Sequence, residues 1–438
     1  MSKGLVALTA VVAAAAIAAG ALSLQHTSAG AAGTPRPSGA IVIDWNRELV
    51  NLVNTPGNQP STIHPTRSFA ILHTAIYDAV VSTTHGGRPY AYSVNAPAGA
   101  DADAAAAEAG HDALVALFPA RQAALDQRLA TLLASIPDGA AKTAGVHVGR
   151  VSAALAAGLR AGDGSTRPQP PVPAPSKPGD YRPAPPANAP AVFTQWPDVQ
   201  PWVLEAAGQF RPGPPPAVAS SAYADGVNEV KRLGQDSSAA RTADQTEAAR
   251  FWPGPIWVQW NEIAEASASI HHTDLLQTAR VFELLDLAFA DTVIAFYDAK
   301  YHYLVWRPVS AIRAADTGNP AVVSDPGWTP LLATAPDPSY PGAHSAVSAA
   351  GAAILGSAFG GKQPIRVTSD SLLGTVRAFP SYDAAAEEAG LSRIYGGVHT
   401  RADHEAGAQL GRQVAAFVLE QSEKPGFGLA GEAAITSH

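Results

Sequence analysis

The sequence has no cysteine and a single methionine, Met1. Without thiols there can be no disulfide, thiolate metal site, iron–sulfur cluster, cysteine nucleophile or acylated lipoprotein cysteine. Charge is sparse as well: Asp, Glu, Lys and Arg make up 15% of residues, the net charge is −8, and no run is rich in Lys or Arg. A phosphate backbone is neutralised by a basic face, so nucleic acid is not an expected partner. Aromatic residues reach only 7% although 47% of the chain is apolar. That composition forms a core rather than a disordered chain, and the core must pack small side chains closely. The 438 residues are enough for about three ordinary domains or one large one.

What is present begins with a leader. Lys3 precedes an uncharged, mostly apolar run from Gly4 to Leu24, and Ala29-Gly30-Ala31 follows as a small-residue cleavage site. Residues 1 to about 31 read as a secretory signal peptide. Lys3 is the only charge in this segment, so the mature chain would carry 28 positive and 37 negative charges, or −9. No later run is apolar for long enough to span a bilayer. The expectation is an exported protein with no membrane partner, residues 32–438 forming one large domain.

Helical periodicity dominates that domain. It runs through 44–53, 66–81, 104–118, 121–136, 140–159, 217–233, 243–251, 257–269, 274–314, 345–359 and 402–420, with Pro308 expected to end or kink the long segment. The stretch 168–216 differs, with ten prolines between Pro168 and Pro190. Its interspersed Tyr181, Phe193, Trp196 and Trp202 predict an ordered surface loop rather than a linker. No run of alternating residues predicts strands, and no repeat occurs. The fold class expected is all-α, with a C-terminal bundle at about 274–420.

Three segments carry candidate chemistry. In Lys300-Tyr-His-Tyr-Leu-Val-Trp-Arg307-Pro308, seven residues are close to two helical turns, which would put both cations on one face about 10 Å apart. Neither has a carboxylate at i±4, and Asp298 lies elsewhere on the turn. Taken alone, this segment reads better as two snorkelling surface cations. In Pro338-Ser-Tyr-Pro341-Gly342-Ala343-His344-Ser345, a helix start offers free N–H groups to an anion, with His344 placed to exchange a proton. An ordinary turn capped by Ser345 would read the same way. In Ser392-Arg393-Ile-Tyr-Gly-Gly-Val-His399-Thr-Arg-Ala-Asp403, the carboxylate of Asp403 is one turn from His399 and can hold one imidazole nitrogen. Gly396-Gly397 supplies a break that could return Arg393 to the same place. A zinc site of His399, Asp403 and His404 lacks a third ligand of suitable spacing.

In order, Lys-x6-Arg-Pro, a Pro-x-x-His loop and Ser-Arg-x5-His-x3-Asp resemble the three-part motif of the type 2 phosphatidic acid phosphatase and vanadium haloperoxidase superfamily. Val42-Ile-Asp-Trp-Asn46, Ala70-Ile-Leu-His-Thr-Ala-Ile-Tyr-Asp78, Arg241-Thr-Ala-Asp-Gln245 and Trp306-Arg-Pro-Val-Ser-Ala-Ile-Arg313 resemble its haloperoxidase branch. The resemblance implies helical bundles around an oxyanion pocket and a vanadate cofactor. Lys300, Arg307 and Arg393 would neutralise its oxygens, and N–H groups at Gly342 and Ala343 would add hydrogen bonds. His399 would be the axial ligand to vanadium or the nucleophile on phosphorus, oriented by Asp403, and His344 the general acid/base. Where the family loop is usually Pro-Ser-Gly-His, this chain has Pro341-Gly342-Ala343-His344, and the hydroxyl that would meet the oxyanion is gone. Such a bond is worth about 1.5–3 kcal/mol, or ten- to a hundred-fold in affinity.

The function implied is an exported haloperoxidase acting on hydrogen peroxide, a halide and a small organic acceptor. A mature chain without sulfur suits such an oxidant. The same residues would serve a secreted acid phosphatase with a phosphohistidine intermediate, or a non-catalytic helical anion binder. A narrow pocket at His344 favours the first and an open mouth the second. Asp337 and Tyr297 are further candidates for its lining.

Overall fold

The computed structural model describes residues 39–424 and 427. Thirteen α-helices are found among them. The first five are α1 (Ala40–Asn54), α2 (Pro65–Thr84), α3 (Ala102–Leu117), α4 (Gln122–Leu133) and α5 (Ala140–Leu159). The Ala-rich α3 and α5 pack so closely that a side chain on Gly149 would meet the Ala105 carbonyl at 2.4 Å. Next come α6 (Ser221–Leu233), α7 (Ala243–Phe251), α8 (Ile256–Ile270) and α9 (Leu275–Tyr303). Helix α9 is the axis of the molecule, buried from Val281 to Lys300 along most of its circumference. The C-terminal part holds α10 (Pro308–Arg313), α11 (Ala343–Phe359), α12 (Tyr382–Tyr395) and α13 (Arg401–Ser422). Gly407 and Gly411 let α13 lie directly on α11. A Cβ at Gly411 would fall 1.9 Å from the Ala346 carbonyl oxygen.

The all-α expectation is met with one correction. Strands β1 (Ile365–Thr368) and β2 (Val376–Phe379) form an antiparallel hairpin pairing Ile365 with Phe379. Four-residue strands are too short to register as alternation. Helix α12 was also not anticipated, because its buried face is built mainly from alanine and carries little hydrophobic contrast.

The proline-rich segment is an ordered strap. Trp196, Val199, Trp202 and Leu204 are buried in the main core. Asp291 of α9 accepts the backbone N–H groups of Trp202, Val203 and Leu204 at 2.7–2.9 Å. The Tyr303 and Tyr340 hydroxyls donate to the carbonyls of Pro212 and Gly213. The strap is thereby tied to the two segments that bear Lys300 and His344. No helix among the described residues is long and apolar enough to cross a membrane. The leader expected at 1–31 lies outside the described residues.

Candidate active site

Lys300 and Arg307 do not share one helix. Helix α9 ends at Tyr303 because Leu304 enters the left-handed region at φ 50°, and Arg307 becomes the N-cap residue of α10. Pro308 does not kink α9; it opens α10 at a position where a missing N–H costs nothing. The two cations meet instead through a third segment. Asp337 accepts from Arg307 Nη2 and lies 3.4 Å from Lys300 Nζ. Arg307 Nε donates to the Asp337 carbonyl at 2.8 Å, and Lys300 Nζ to the carbonyls of Pro338 and Ser339. Asp298 is engaged elsewhere, with Arg211 at 2.6 Å.

The loop from Asp337 to Gly342 leads into α11. Gly342 is the N-cap residue, without a side-chain cap, and Ser345 is not. The expected oxyanion contact from the Gly342 N–H is corrected here: that group donates to the Asp403 carbonyl at 2.8 Å. Ala343, the first residue of α11, retains an N–H in the free first turn. The flanking hydroxyls do not replace the missing serine. Ser339 Oγ donates to Asp403 Oδ2 at 2.7 Å, and Ser345 Oγ pairs with His404 Nδ1 at 2.9 Å.

His344 follows in the first turn of α11, with its Nε2 shielded from solvent and unpartnered. Burial, then the charge of Arg393, push its pKa well below the ordinary value, so it is neutral. The carbonyls of Gly254 and Trp252 face the ring.

Arg393 lies in the last turn of α12, and Gly396 caps that helix. Gly397 then turns the chain at φ 81°, against the Gly234 carbonyl, where a Cβ would come within 2.5 Å. This is the break that returns His399 to Arg393. Thr400 caps α13 and Asp403 completes the capping box. Asp403 Oδ2 accepts from the Thr400 N–H at 2.7 Å and faces His399 Nδ1 at 3.3 Å. Burial alone would raise the Asp403 carboxyl, but bonds from His399, Thr400 and Ser339 hold it below the usual range.

His399 is pushed down to about 3, by burial first and by Arg307 second. A neutral ring donating from Nδ1 to Asp403 has its Nε2 lone pair free to accept, and Arg307 Nη1 lies 3.1 Å from that atom. Burial lowers Lys300 to about 8, and burial with the charge of Arg307 lowers Arg393 to about 9. Both therefore remain charged at neutral pH. Asp337 would be raised by burial, but Lys300 and Arg307 hold it below its ordinary value. Three cations against Asp337 and Asp403 leave the pocket at +1.

Arg393 has no partner for Nε or Nη1 although it is only 8% exposed. A buried guanidinium left this way is costly unless a ligand anion completes it. With His344 Nε2 also unpartnered, a free guanidinium and a ring nitrogen able to exchange a proton stand open together, which fits a tetrahedral oxyanion. Ala343, His344 and Thr400 are the partly exposed residues of this group.

Two residues named in the sequence motifs without a positioning role prove to have one. One is Ser339. The other is Arg241, whose Nη1 donates to the carbonyls of Leu233, Gln235 and Tyr395 and so ties the end of α6 to the turn after α12. An arginine just before a Thr-x-x-Gln capping box was the available signal. His404 is held by Ser345 and by Glu387 at 3.3 Å, and no cluster among the described residues would hold a metal ion. Tyr297 is buried on α9 and faces the charge of Asp337.

This fold and site define a class: helical-bundle proteins in which three buried cations gather beside two histidines. Residues 280–425 match the family model described as the VCPO second helical-bundle domain. The chain is similar in structure to a bacterial vanadium-dependent iodoperoxidase, at 25% identity and a TM-score of 0.77 over 88% of this chain and 97% of that one. It is also similar to the holo form of a bacterial vanadium-dependent chloroperoxidase, at 16% identity and a TM-score of 0.63 over 91% and 97%. The apo-type bacterial chloroperoxidase matches at the same identity and TM-score over 84% and 96%. No curated protein matches in sequence. By fold and by its second bundle the chain resembles the vanadium-dependent haloperoxidase branch of the superfamily.

Proposed function

We propose that this protein is an exported haloperoxidase that holds vanadate and uses hydrogen peroxide to oxidise a halide, halogenating a small organic acceptor. The observation that carries this reading is the unpartnered pair, Arg393 and His344 Nε2, buried beside Lys300, Arg307 and His399. Vanadate, when bound, supplies a Lewis acid that activates peroxide without changing its own redox state.

The protein's residues supply the rest. Lys300, Arg307 and Arg393 neutralise the oxygens, with the Ala343 N–H adding a fourth donor. Asp403 fixes His399 with its Nε2 directed at Arg307, and that nitrogen becomes available when Arg307 Nη1 turns to an oxygen of the ligand. Neutral His344 accepts a proton from a reactant at Nε2 and returns it later.

The test is peroxide-dependent bromination of a β-diketone by the purified mature protein, with and without orthovanadate. Activity that requires vanadate and disappears in His399→Ala is the expected result. A folded protein that brominates at no vanadate concentration, yet hydrolyses a phosphate ester, would replace this reading with the phosphatase.

A further inference from the structure

Asp403 also lines a cavity of about 300 Å³ that is not bounded by Lys300, Arg307, His344, Arg393 or His399. Ser339 and Thr400 border it beside Asp403. Its other walls come from two stretches of the strap, around Gly179 and Pro215, from α6 and from the junction of α9 with α10.

These walls are fixed in place. The Tyr181 N–H donates to the Leu304 carbonyl at 2.6 Å and the Trp306 N–H to the Gly179 carbonyl at 2.9 Å, which pins the first strap stretch to the helix junction. Asn319 Nδ2 donates to the carbonyls of Val218 and Ser220 at 2.8 and 2.9 Å, which pins the end of the second. Sites for small molecules are commonly of this kind: preformed, mostly apolar, with a few placed polar groups.

The lining chemistry narrows the ligand. Pro178, Pro215, Pro308 and the rings of Tyr223 and Trp306 present flat apolar surface suited to an aromatic ring. Two polar groups on these walls are unspent. Asp403 Oδ2 takes the bonds from Ser339, His399 and the Thr400 N–H, while Oδ1 has no partner among the described residues and is not sealed off, although Asp403 is only 3% exposed. The Tyr223 hydroxyl accepts from Trp306 Nε1 at 3.0 Å, and its own proton has no acceptor among the described residues. Burial raises that hydroxyl to about 12, so it keeps the proton. One acceptor and one donor on flat apolar walls suit a neutral ring bearing a hydroxyl, which can serve either. An anionic ring would meet the charge of Asp403.

We infer that this cavity is a binding site for a neutral phenol of one or two rings, whose hydroxyl donates to Asp403 Oδ1. The site is separate from the oxyanion pocket and stands whatever that pocket holds. Its ligand rests against the carboxylate that orients His399, without touching the site cations.

Fluorescence titration of the purified mature protein with 2-naphthol tests this without any turnover. Wild-type protein should bind it at one site. Naphthalene, which lacks the hydroxyl, should bind at least about tenfold more weakly. Saturating orthovanadate should leave the naphthol affinity within about twofold. Gly226 lines the cavity from α6, and a Cβ there would meet only Thr400 Cβ, at an ordinary 3.7 Å. Gly226→Leu should therefore fill the space without forcing the backbone, lower naphthol affinity at least about tenfold and leave vanadate affinity unchanged.

Wild-type protein that binds no 2-naphthol, binds naphthalene as tightly, or releases 2-naphthol to orthovanadate would overturn the inference whether or not Gly226→Leu folds. A folded Gly226→Leu protein with wild-type naphthol affinity would place the ligand elsewhere and overturn it too.

Discussion

Arg307 Nη1 lies 3.1 Å from His399 Nε2, so a cation expected to hold oxygens is turned onto the nitrogen expected to bond the central atom. The same guanidinium is tethered by Asp337 and by the carbonyl of Val398. On the proposed function, ligand binding would therefore be an exchange, in which Arg307 gives up an imidazole for an anion. The exchange costs little structure, because its Nε stays on the Asp337 backbone.

Arg393→Gln should separate stability from binding. Wild-type protein carries an unpartnered buried guanidinium, so its removal should leave the ligand-free protein as stable, or about 1–2 kcal/mol more stable. Oxyanion affinity should meanwhile fall ten- to a hundred-fold. Denaturation midpoints and calorimetric titration with vanadate measure the two. A large loss of stability with unchanged affinity would make Arg393 a structural residue.

Ser339→Ala removes the 2.7 Å hydroxyl bond to Asp403 and loosens the carboxylate that orients His399. A bond to a charged group is worth about 1.5–3 kcal/mol, which predicts at least about tenfold lower kcat with little change in the KM for halide. Ser339→Thr, which keeps the hydroxyl, should recover most of the activity. Equal losses in both variants would mean that packing, not the hydrogen bond, matters there.

Gly411→Ala and Gly407→Ala should differ in kind. A Cβ at Gly411 would meet the Ala346 carbonyl at 1.9 Å and force α13 away from α11, costing about 1–3 kcal/mol. A Cβ at Gly407 would meet the Gly342 carbonyl at 2.3 Å. That displaces the site loop, so oxyanion affinity should drop as well. Thermal unfolding with a vanadate titration of each variant distinguishes them, and equal affinities would contradict the prediction.

Stability should be highest in the mildly acidic range. His64, His73 and His399 are neutral when folded, with pKa values of about 3 against 6.5 unfolded. The unfolded chain takes up those protons first, so stability is lost as pH falls from 6.5 towards 3. Glu283 acts in the opposite sense. Burial raises it to about 8 against an ordinary 4.5, so the unfolded chain releases its proton first and stability is lost as pH rises between the two. Asp286, raised well above its ordinary value by burial, adds to that alkaline loss. Denaturant midpoints across this range should pass through a maximum, and Glu283→Gln should flatten the alkaline limb. A wild-type midpoint that climbs steadily with pH would refute the assignment.

Spacing along the chain marked Lys300, Arg307, His344, Arg393, His399 and Asp403 only as candidates, and it was their order, resembling a three-part motif, that drew them together; the local parts of that pattern were legible. Thr400 and Asp403 form a capping box within one turn, and a Gly-Gly pair breaks a helix wherever it occurs. The all-α class was legible for the same reason, since periodicity is a property of neighbouring residues. Helix α12 and the β1–β2 hairpin were not, one having an alanine face and the other only four residues per strand.

Only tertiary structure decided how the site is wired. It placed Asp337 on Lys300 and Arg307, spent the Gly342 N–H on the Asp403 carbonyl, and turned Ser339 to Asp403 across 64 positions. It also left Arg393 alone. These pairings join segments far apart in the chain, brought to bonding distance by the packing of α9, α11 and α13. Sequence by itself named the candidate groups, because their types and order are local; packing decided which of them already pair with one another, because those partners lie far apart in the chain.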